Sequence, residues 1–243
     1  DDGNGDERVR AIARPLTIET RTLSDVCHDE RRARLVDASN HTGTRRNAQV
    51  FDLYEYDGAN YERRRIFENP GMEIADISRD GHWLALVRPR TAADSNLYLV
   101  HLSATGADRE PRLITEHTGN INYGVHEFTR DGEALIYSTD QHGEFNQAWR
   151  YDLASGAEAP LIEEQWDVMF VISSPSGRYR VSAVNANAST EVTILDTQTN
   201  QPLQLTGVPA GDLGGVRFNR DETRIAFTVA SDTSPADVFT APL

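Results

Sequence analysis

Short runs in which apolar and polar residues alternate recur along the chain, and five of them follow a pair of residues suited to a tight turn. The pairs are Asp29-Glu30, Asp80-Gly81, Asp131-Gly132, Ser176-Gly177 and Asp221-Glu222. Their first members lie 51, 51, 45 and 45 residues apart. Asp and Ser side chains can bond their own backbone in such a turn, and Gly can adopt a positive φ there. The spacing therefore indicates an internal repeat.

The pattern predicts four short antiparallel strands in each repeat, because apolar and polar positions alternate with a period of two. A first strand precedes the turn, at 73–77, 123–128, 167–172 and 215–218. A second strand follows it, at 34–38, 83–87, 134–138, 179–184 and 224–229. Polar loops come next, at 40–47, 90–95, 139–146, 185–190 and 231–236. They lead to a third strand, at 49–56, 96–102, 147–153, 191–197 and 237–243, and a further turn leads to an outer strand, at 62–67, 111–115, 159–163 and 203–207.

Four strands in a repeat of about 40 to 50 residues are typical of a β-propeller blade. We therefore predict an all-β fold, a β-propeller with about five four-stranded blades that forms a single domain over residues 1–243. The predicted repeats are 21–70, 71–119, 120–164, 165–209 and 210–243.

The fifth repeat ends after its third strand, and residues 13–20 have the pattern of the missing outer strand. Pro15-Leu16-Thr17 there resembles Pro202-Leu203 of the fourth repeat. Such a strand could close the ring and cover a blade edge that would otherwise promote aggregation. The alternative is that the chain is part of a larger propeller, and the sequence leaves both readings open.

Composition excludes several functions. The net charge of -14 and the pI near 4.9 oppose binding to nucleic acid or to anionic lipid. The longest apolar run, residues 168–172, is far shorter than the ~20 residues that span a bilayer, so no membrane partner is predicted. All 24 basic residues are arginine, which excludes a Schiff-base lysine, a pyridoxal phosphate anchor and a P-loop lysine in this chain.

The single cysteine, Cys27, cannot form an internal disulfide or a cysteine-rich zinc site. Residues 1–7 are acidic and Gly-rich and do not resemble an intact secretory signal. These residues could be the N-terminus left by cleavage of a signal. The compartment is left open among the cytoplasm, which is slightly favoured, the periplasm and the outside of the cell.

Two groups of residues are potential metal ligands. Asp76, Ser78, Asp80 and Gly81 match the first half of a calcium loop, but Val87 stands where such a loop has its bidentate Glu, so a blade turn is favoured. The second group is Asp25, Cys27, His28, Asp29 and Glu30, in which the adjacent Cys27 and His28 would point to opposite sides of a strand. We therefore predict no metal and no cofactor.

The arginine clusters admit two readings. Arg31-Arg32, Arg45-Arg46 and Arg63-Arg64-Arg65 could form a docking face for carboxylates, but a solvated face that offsets the acidic surplus is favoured. The three tryptophans, Trp83, Trp149 and Trp166, lie in or next to strands and are predicted to belong to the core.

Several segments resemble known propellers. The turn-and-strand pattern is similar to the SPDG repeat of TolB-like and WD40-like propellers. The succession of DISRDGHWLALV, NLYLVHLSATG, EFTRDGEALIYS, QWDVMFVISSPSG and SPADVF resembles the N-terminal propeller of prolyl oligopeptidase (S9) family serine hydrolases, over roughly residues 26–243. The resemblance implies a C-terminal α/β-hydrolase domain that carries the catalytic Ser, Asp and His, and a propeller that restricts the site to short peptides.

The chain departs from that family because it contains no G-x-S-x-G pentapeptide, which would present the nucleophile on a strained turn. The segment Ser173-Ser174-Pro175-Ser176-Gly177 lacks the leading Gly and lies where the other repeats have their turn. No catalytic residue is therefore predicted here, and this chain alone is expected to be inactive. The expected partners are a hydrolase domain of the same polypeptide and short peptide substrates. The alternative is a free-standing TolB-like propeller that binds proteins or other ligands.

Overall fold

The structure is a computed structural model that describes residues 28–29, 32–36, 50–57, 62–205 and 207–243. The described residues form an all-β protein in which the one helical element is a single 3-10 turn, Gly106–Arg109. The candidate closing strand at 13–20 lies outside the described residues. The described residues belong to two compact units, one within Thr20–Val171 and one within Ile172–Leu243, and the two are treated separately. The single domain over 1–243 stays a prediction.

The larger unit contains three four-stranded antiparallel sheets, and the strands of each sheet lie in chain order. The first sheet is formed by β1 (His28–Asp29), β2 (Arg32–Val36), β3 (Leu53–Asp57) and β4 (Arg63–Phe67). The second is formed by β5 (Glu73–Ile77), β6 (Trp83–Thr91), β7 (Asp94–His101) and β8 (Arg112–Leu113). The third is formed by β9 (Tyr123–Phe128), β10 (Ala134–Thr139), β11 (Gln147–Asp152) and β12 (Glu158–Ile162).

Two further sheets follow, and the unit boundary falls within the first strand of the fourth sheet. The fourth sheet is formed by β13 (Val168–Ser173), β14 (Tyr179–Ala186), β15 (Ser189–Asp196) and β16 (Gln201–Pro202). The fifth is formed by β17 (Asp212–Phe218), β18 (Arg224–Ser231) and β19 (Ser234–Pro242). This fifth sheet has three strands among the described residues.

The repeated turns are closed by a side chain that stands two residues before the predicted Asp or Ser. This side chain accepts the backbone N–H of the residue five positions later. The bonds are Trp83 N to Ser78 Oγ (2.8 Å), Ala134 N to Thr129 Oγ1 (3.0 Å), Tyr179 N to Ser174 Oγ (3.0 Å) and Arg224 N to Asn219 Oδ1 (2.8 Å). The Gly of each turn has a positive φ, as predicted for Gly81, Gly132 and Gly177.

Glu222 occupies the glycine position of the fifth turn with a φ of +54°. Its carboxylate accepts hydrogen bonds from Ser176 N at 2.5 Å and from Ser176 Oγ at 2.7 Å, so it links the turn of the fifth sheet to the turn of the fourth. These bonds lower the pKa of Glu222 against the opposing effect of burial, which is the largest single influence on it. The side chain thus joins two sheets of the smaller unit.

Strand boundaries differ from the prediction at two kinds of site. The predicted loops at 90–95, 185–190 and 231–236 shrink to two-residue turns, because the flanking strands extend into them. Asn187 and Ala188 adopt φ values of 50° and 62°, which suit a type I′ hairpin turn. The outer strand of the fourth sheet is Gln201–Pro202 rather than 203–207, since an edge strand tolerates the missing proline N–H.

Two apolar clusters hold the larger unit together. One joins the first and second sheets around Leu53, Leu84 and Leu86. The other joins the second and third sheets around Leu97, Leu135 and Tyr137. Each sheet is too thin to bury both faces alone, so packing on the neighbouring sheet supplies the core.

In the first four sheets, a polar bond fixes the start of the third strand to the residues that lead into the next sheet. These bonds join Asn69 N to Asp52 Oδ1 (2.8 Å), Tyr123 N to Ser95 Oγ (2.7 Å), Asn146 N to Asp167 Oδ1 (2.8 Å) and Thr190 N to Asp212 Oδ1 (2.8 Å). We call these four bonds the sheet ties. Each lies within one unit.

A buried ion pair lies next to the second of these ties. His117 Nε2 lies 3.0 Å from Asp94 Oδ1, and the two side chains are only 2% and 4% exposed. The other ring nitrogen, Nδ1, lies 2.9 Å from the carbonyl oxygen of Thr115. Because both nitrogens face oxygen atoms, a proton must stand between the ring and the carboxyl group. The pair therefore carries a hydrogen bond that is shielded from water.

Asp76 makes a part-buried contact between the second and third sheets. Its Oδ2 accepts a hydrogen bond from Phe128 N at 2.6 Å. Burial raises the pKa of Asp76 from 3.8 to about 6, the nearby Glu127 raises it further, and the Phe128 bond and Arg130 oppose the rise. The folded protein therefore binds a proton at Asp76 more tightly than the unfolded chain does.

We expect His117→Ala to lower the free energy of unfolding by about 2 kcal/mol, because the buried Asp94 carboxylate then keeps only the half-exposed Arg90, whose Nε lies 3.3 Å from Oδ2, as a charged partner. Urea unfolding would measure the change. The double variant with Asp94→Ala should lose less than the sum of the two single variants, since the carboxylate that lost its histidine partner is then absent. Strictly additive losses would contradict the pairing.

We expect Asp76→Asn to remove a pH dependence of stability. A carboxyl group with a raised folded pKa gives its full stability below the unfolded pKa and loses it as pH rises through about 6. The free energy of unfolding of the variant, relative to that of the parent protein, should therefore rise by about 2 to 3 kcal/mol between pH 4 and pH 7. The amide oxygen of the variant still accepts the Phe128 bond. Urea unfolding at both pH values would test this, and parallel curves would show the expectation to be wrong.

Candidate ligand-binding surface

The residues that matched half a calcium loop do not converge on a common point. Asp76 accepts the Phe128 bond, whereas Asp80 Oδ1 accepts bonds from Ser78 Oγ at 2.5 Å and from His82 N at 2.9 Å. Their oxygens thus serve a sheet contact and a turn. Among the residues that the structure describes, no group of three or more His, Cys, Asp or Glu side chains could hold a metal ion.

The other sequence candidates fall into two sets. Asp25, Cys27, Glu30, Arg31, Arg45 and Arg46 lie outside the described residues, as do the side chains of His28, Asp29 and Arg32. The run at 63–65 is described, and each of its arginines contacts its own sheet or the adjoining residues. Arg63 lies over the Tyr54 ring, Arg64 pairs with Glu55 at 2.6 Å, and Arg65 pairs with Asp52 at 3.2 Å and Glu68 at 2.8 Å. The run therefore stabilises the first sheet on its solvated face.

The serines of the segment 173–177 also act within turns. Ser174 Oγ accepts the Tyr179 N–H, and Ser176 Oγ donates to Glu222. Two described histidines are largely buried. His117 is paired with Asp94, and burial lowers the pKa of His126 to about 4, so that ring is neutral at pH 7.

Trp83 and Trp149 pack against the cluster between the second and third sheets, which confirms the core prediction for both. Trp166 does not belong to the core, because 37% of its surface is exposed. It precedes β13 in the polar connection 163–167. The core prediction for Trp166 was therefore wrong.

Trp166 lies beside the longest described connection between a second and a third strand. This connection is two residues long in the second, fourth and fifth sheets, but in the third sheet it comprises the seven residues Asp140–Asn146. It carries Phe145, whose ring centroid lies 5.7 Å from that of Trp166 at an interplanar angle of 43°. A long loop on a rigid sheet is a common location for binding residues.

Several hydrogen bonds hold this loop against the connection at 163–167. Asn146 N donates to Asp167 Oδ1 at 2.8 Å, and Val168 N donates to Asn146 O at 2.8 Å. Gln147 Nε2 donates to Trp166 O at 3.2 Å, and Gln147 Oε1 accepts the N–H of Glu164. The two connections therefore form one ordered surface, and Phe145 and Trp166 project from its two halves.

The electrostatics of this surface are one-sided. The two connections contain Asp140, Glu144, Glu163, Glu164 and Asp167 and no arginine. Asp140 accepts the Asn122 N–H and Asp167 accepts the Asn146 N–H, so both are engaged. The three glutamates are exposed, and none forms an ion pair with a described residue. We call Phe145, Trp166 and these three glutamates the aromatic-acidic surface.

A stacked pair joins the same loop to β11. The rings of His142 and Trp149 are 3.9 Å apart at an interplanar angle of 26°. Trp149 Nε1 is shielded from solvent and has no hydrogen-bond partner among the described residues. This pair fixes the loop to the face of the third sheet.

The larger unit also has a cavity of about 290 Å³ between the outer strand of the first sheet and the 3-10 turn. Two arginines line it, Arg65 and Arg109. Arg109 donates to the carbonyl oxygen of Ile66, and Arg65 is paired with Asp52 and Glu68. Because both guanidinium groups already have partners, the cavity is a weaker candidate for ligand binding than the aromatic-acidic surface.

Sequence reasoning missed the aromatic-acidic surface because it placed Trp166, at the start of a predicted strand, in the core. A signal was present in the segment EEQWD, where the tryptophan stands among polar residues rather than in an alternating run.

No described helix is long and apolar enough to cross a membrane.

No protein-family model matches the sequence, and no curated protein matches it. Solved structures do match. TolB from Acinetobacter baumannii is 18% identical, with a TM-score of 0.58 over 88% of this chain and 52% of that one. Prolyl oligopeptidase B from Galerina marginata, bound to a 35mer substrate, is 14% identical, with a TM-score of 0.61 over 88% and 31%. A puromycin-hydrolyzing peptidase of Mycobacterium tuberculosis is 14% identical, with a TM-score of 0.57 over 87% and 34%.

The chain spans about half the length of this TolB and about a third of each of the two peptidases. Identities this low establish the fold rather than the activity. The chain therefore has the β-propeller fold that TolB shares with the propeller domains of prolyl oligopeptidases, as its repeats predicted.

Proposed function

We propose that the chain is the noncatalytic propeller part of a serine peptidase similar to prolyl oligopeptidases. In this role it controls which short peptides reach an α/β-hydrolase domain of the same polypeptide. The observation that carries the proposal is the fold match over almost nine-tenths of this chain to about a third of each peptidase. The segments from DISRDGHWLALV to SPADVF, whose succession along the chain resembles that of a prolyl oligopeptidase propeller, also support it.

The local chemistry of the described residues is compatible with a guarding role. The serines at 174 and 176 are engaged in turns, and the carboxylate nearest to a buried histidine, Asp94, already shares a hydrogen bond with it. Acyl transfer needs a nucleophile, a base and an oxyanion hole within hydrogen-bonding distance of one another. The hydrolase chemistry is therefore assigned to another part of the polypeptide.

A second function is a free-standing binding platform similar to TolB. The match to Acinetobacter TolB favours it, since its TM-score of 0.58 is close to those of the peptidases and its 18% identity is higher. On this reading the aromatic-acidic surface would bind a protein partner, and no hydrolase domain would be required.

We expect the 243-residue chain to leave aminoacyl chromogenic substrates of the proline and alanine type intact, and to resist a fluorophosphonate label that modifies activated serines. The full product of the gene should hydrolyse these substrates and take up one label per molecule. A variant of the full product that lacks the labelled serine is the matched control.

Three outcomes separate the readings. Labelling of the full product alone supports the peptidase proposal. A full product that is folded but neither labelled nor active favours the TolB-like platform. Stoichiometric labelling of the 243-residue chain would overturn both, because it would place an activated serine among these sheets.

A further inference from the structure

We propose that the aromatic-acidic surface binds a peptide segment in which an aromatic or large apolar side chain stands next to a basic residue. The inference rests on the proposed function only in treating that peptide as a substrate of the whole protein. The binding site itself is argued from the residues of the third sheet and the connection that follows it.

Exposed aromatic side chains are the first support. Trp166 exposes 37% of its surface, and the partly buried Phe145 leans against it with a centroid distance of 5.7 Å. Tryptophan and other aromatic residues are enriched where proteins bind partners, since they combine a large apolar area with few rotatable bonds. A third ring or an aliphatic side chain can pack against this tilted pair.

The second support for binding at this surface is that hydrogen bonds hold its two connections in place. The hydrogen bonds between Asn146 and Asp167, and between Gln147 and the backbone at 164 and 166, join the two connections that carry the aromatic pair. The His142–Trp149 stack fixes the same loop to its sheet. A surface that is already ordered loses little conformational entropy on binding, so a small contact area can still give measurable affinity.

The negative charge of this surface favours a peptide with a basic side chain. Glu144, Glu163 and Glu164 are exposed and make no ion pair with described residues, and the two connections contain no arginine. A basic side chain placed there can pair with a carboxylate or lie over the Trp166 ring. Nucleic acid, an anionic membrane and a second copy of this chain, with its net charge of -14, are all disfavoured by the same charge.

The test uses the 243-residue chain and blocked tetrapeptides as probes. The reference peptide is Gly-Phe-Arg-Gly, and the comparison peptides are Gly-Phe-Glu-Gly and Gly-Ala-Arg-Gly. Titration calorimetry would give the dissociation constants, and tryptophan fluorescence would report on the site. We expect each comparison peptide to bind about tenfold more weakly than the reference, since one ring contact or one close charge pair contributes about 1.4 kcal/mol.

Protein variants locate the binding. Trp166→Ala should weaken binding of the reference peptide about tenfold, and Trp166→Phe should restore most of it. Glu163→Gln combined with Glu164→Gln should weaken the Phe-Arg peptide several-fold and leave the Phe-Glu peptide no weaker. Leu113→Ala is the matched control, because Leu113 is exposed to a similar extent, 38%, but belongs to the second sheet. Thermal unfolding would show that each variant is folded.

Equal binding of the three peptides, no binding of the reference peptide, or binding that Trp166→Ala leaves unchanged would overturn the proposal. Self-association that Trp166→Ala abolishes would assign the surface to a second copy and would also overturn it. Because these measurements need no hydrolysis, they can fail while the serine-labelling result stands, and the converse is equally true.

Discussion

Four hydrogen bonds join the start of a third strand to the residues that lead into the next sheet, and each of them lies within one of the two units. A side chain at that point, or at the start of the following sheet, accepts a backbone N–H from the neighbour, as in the pair Asn146 and Asp167. A backbone N–H that two packed sheets shielded from water without a partner would cost about 1 to 3 kcal/mol. The sheet ties remove that cost and set the distance at which apolar side chains such as Leu97 and Leu135 meet. The apolar contacts supply most of the stabilisation, and the ties fix the geometry in which it is obtained.

The repeat period predicted the second strands and their turns well, because both depend on neighbours in sequence. Gly81 and Gly132 have the positive φ that the Asp-Gly pairs implied, and five sheets are present among the described residues. Two of the sheet ties follow the same period, since their acceptors, Asp167 and Asp212, are 45 residues apart. This spacing is visible in the sequence, but its structural role is not, because the hydrogen-bond partner of each Asp lies about 20 residues away along the chain. The bond from Asp76 to Phe128 spans 52 residues and no local pattern could indicate it.

The candidate site was harder to predict than the fold for a related reason. A tryptophan next to a strand is usually buried, and only the lengths of the two adjoining connections decide that Trp166 is not. The loop at 140–146 is long where the corresponding turns of three other sheets have two residues. Because the repeat tolerates such an extension without disturbing its hydrogen-bond ladder, this is a place where one blade can differ from the others. The acidic residues of the two connections contribute to the net charge of -14, and that total does not show where in the fold they lie.

Glu222 has a consequence for the history of the sequence. A side chain at its φ of +54° is strained by roughly 1 to 2 kcal/mol relative to glycine, and its two bonds to Ser176 offset that strain. The Ser176 backbone N–H would remain as a donor after a substitution at 176, but the hydroxyl bond would be lost and less of the strain would be offset. Loss of the serine would therefore shift the preference at position 222 towards glycine, which needs no such bond. The residues favoured at two positions 46 residues apart in the sequence are thus coupled through this contact.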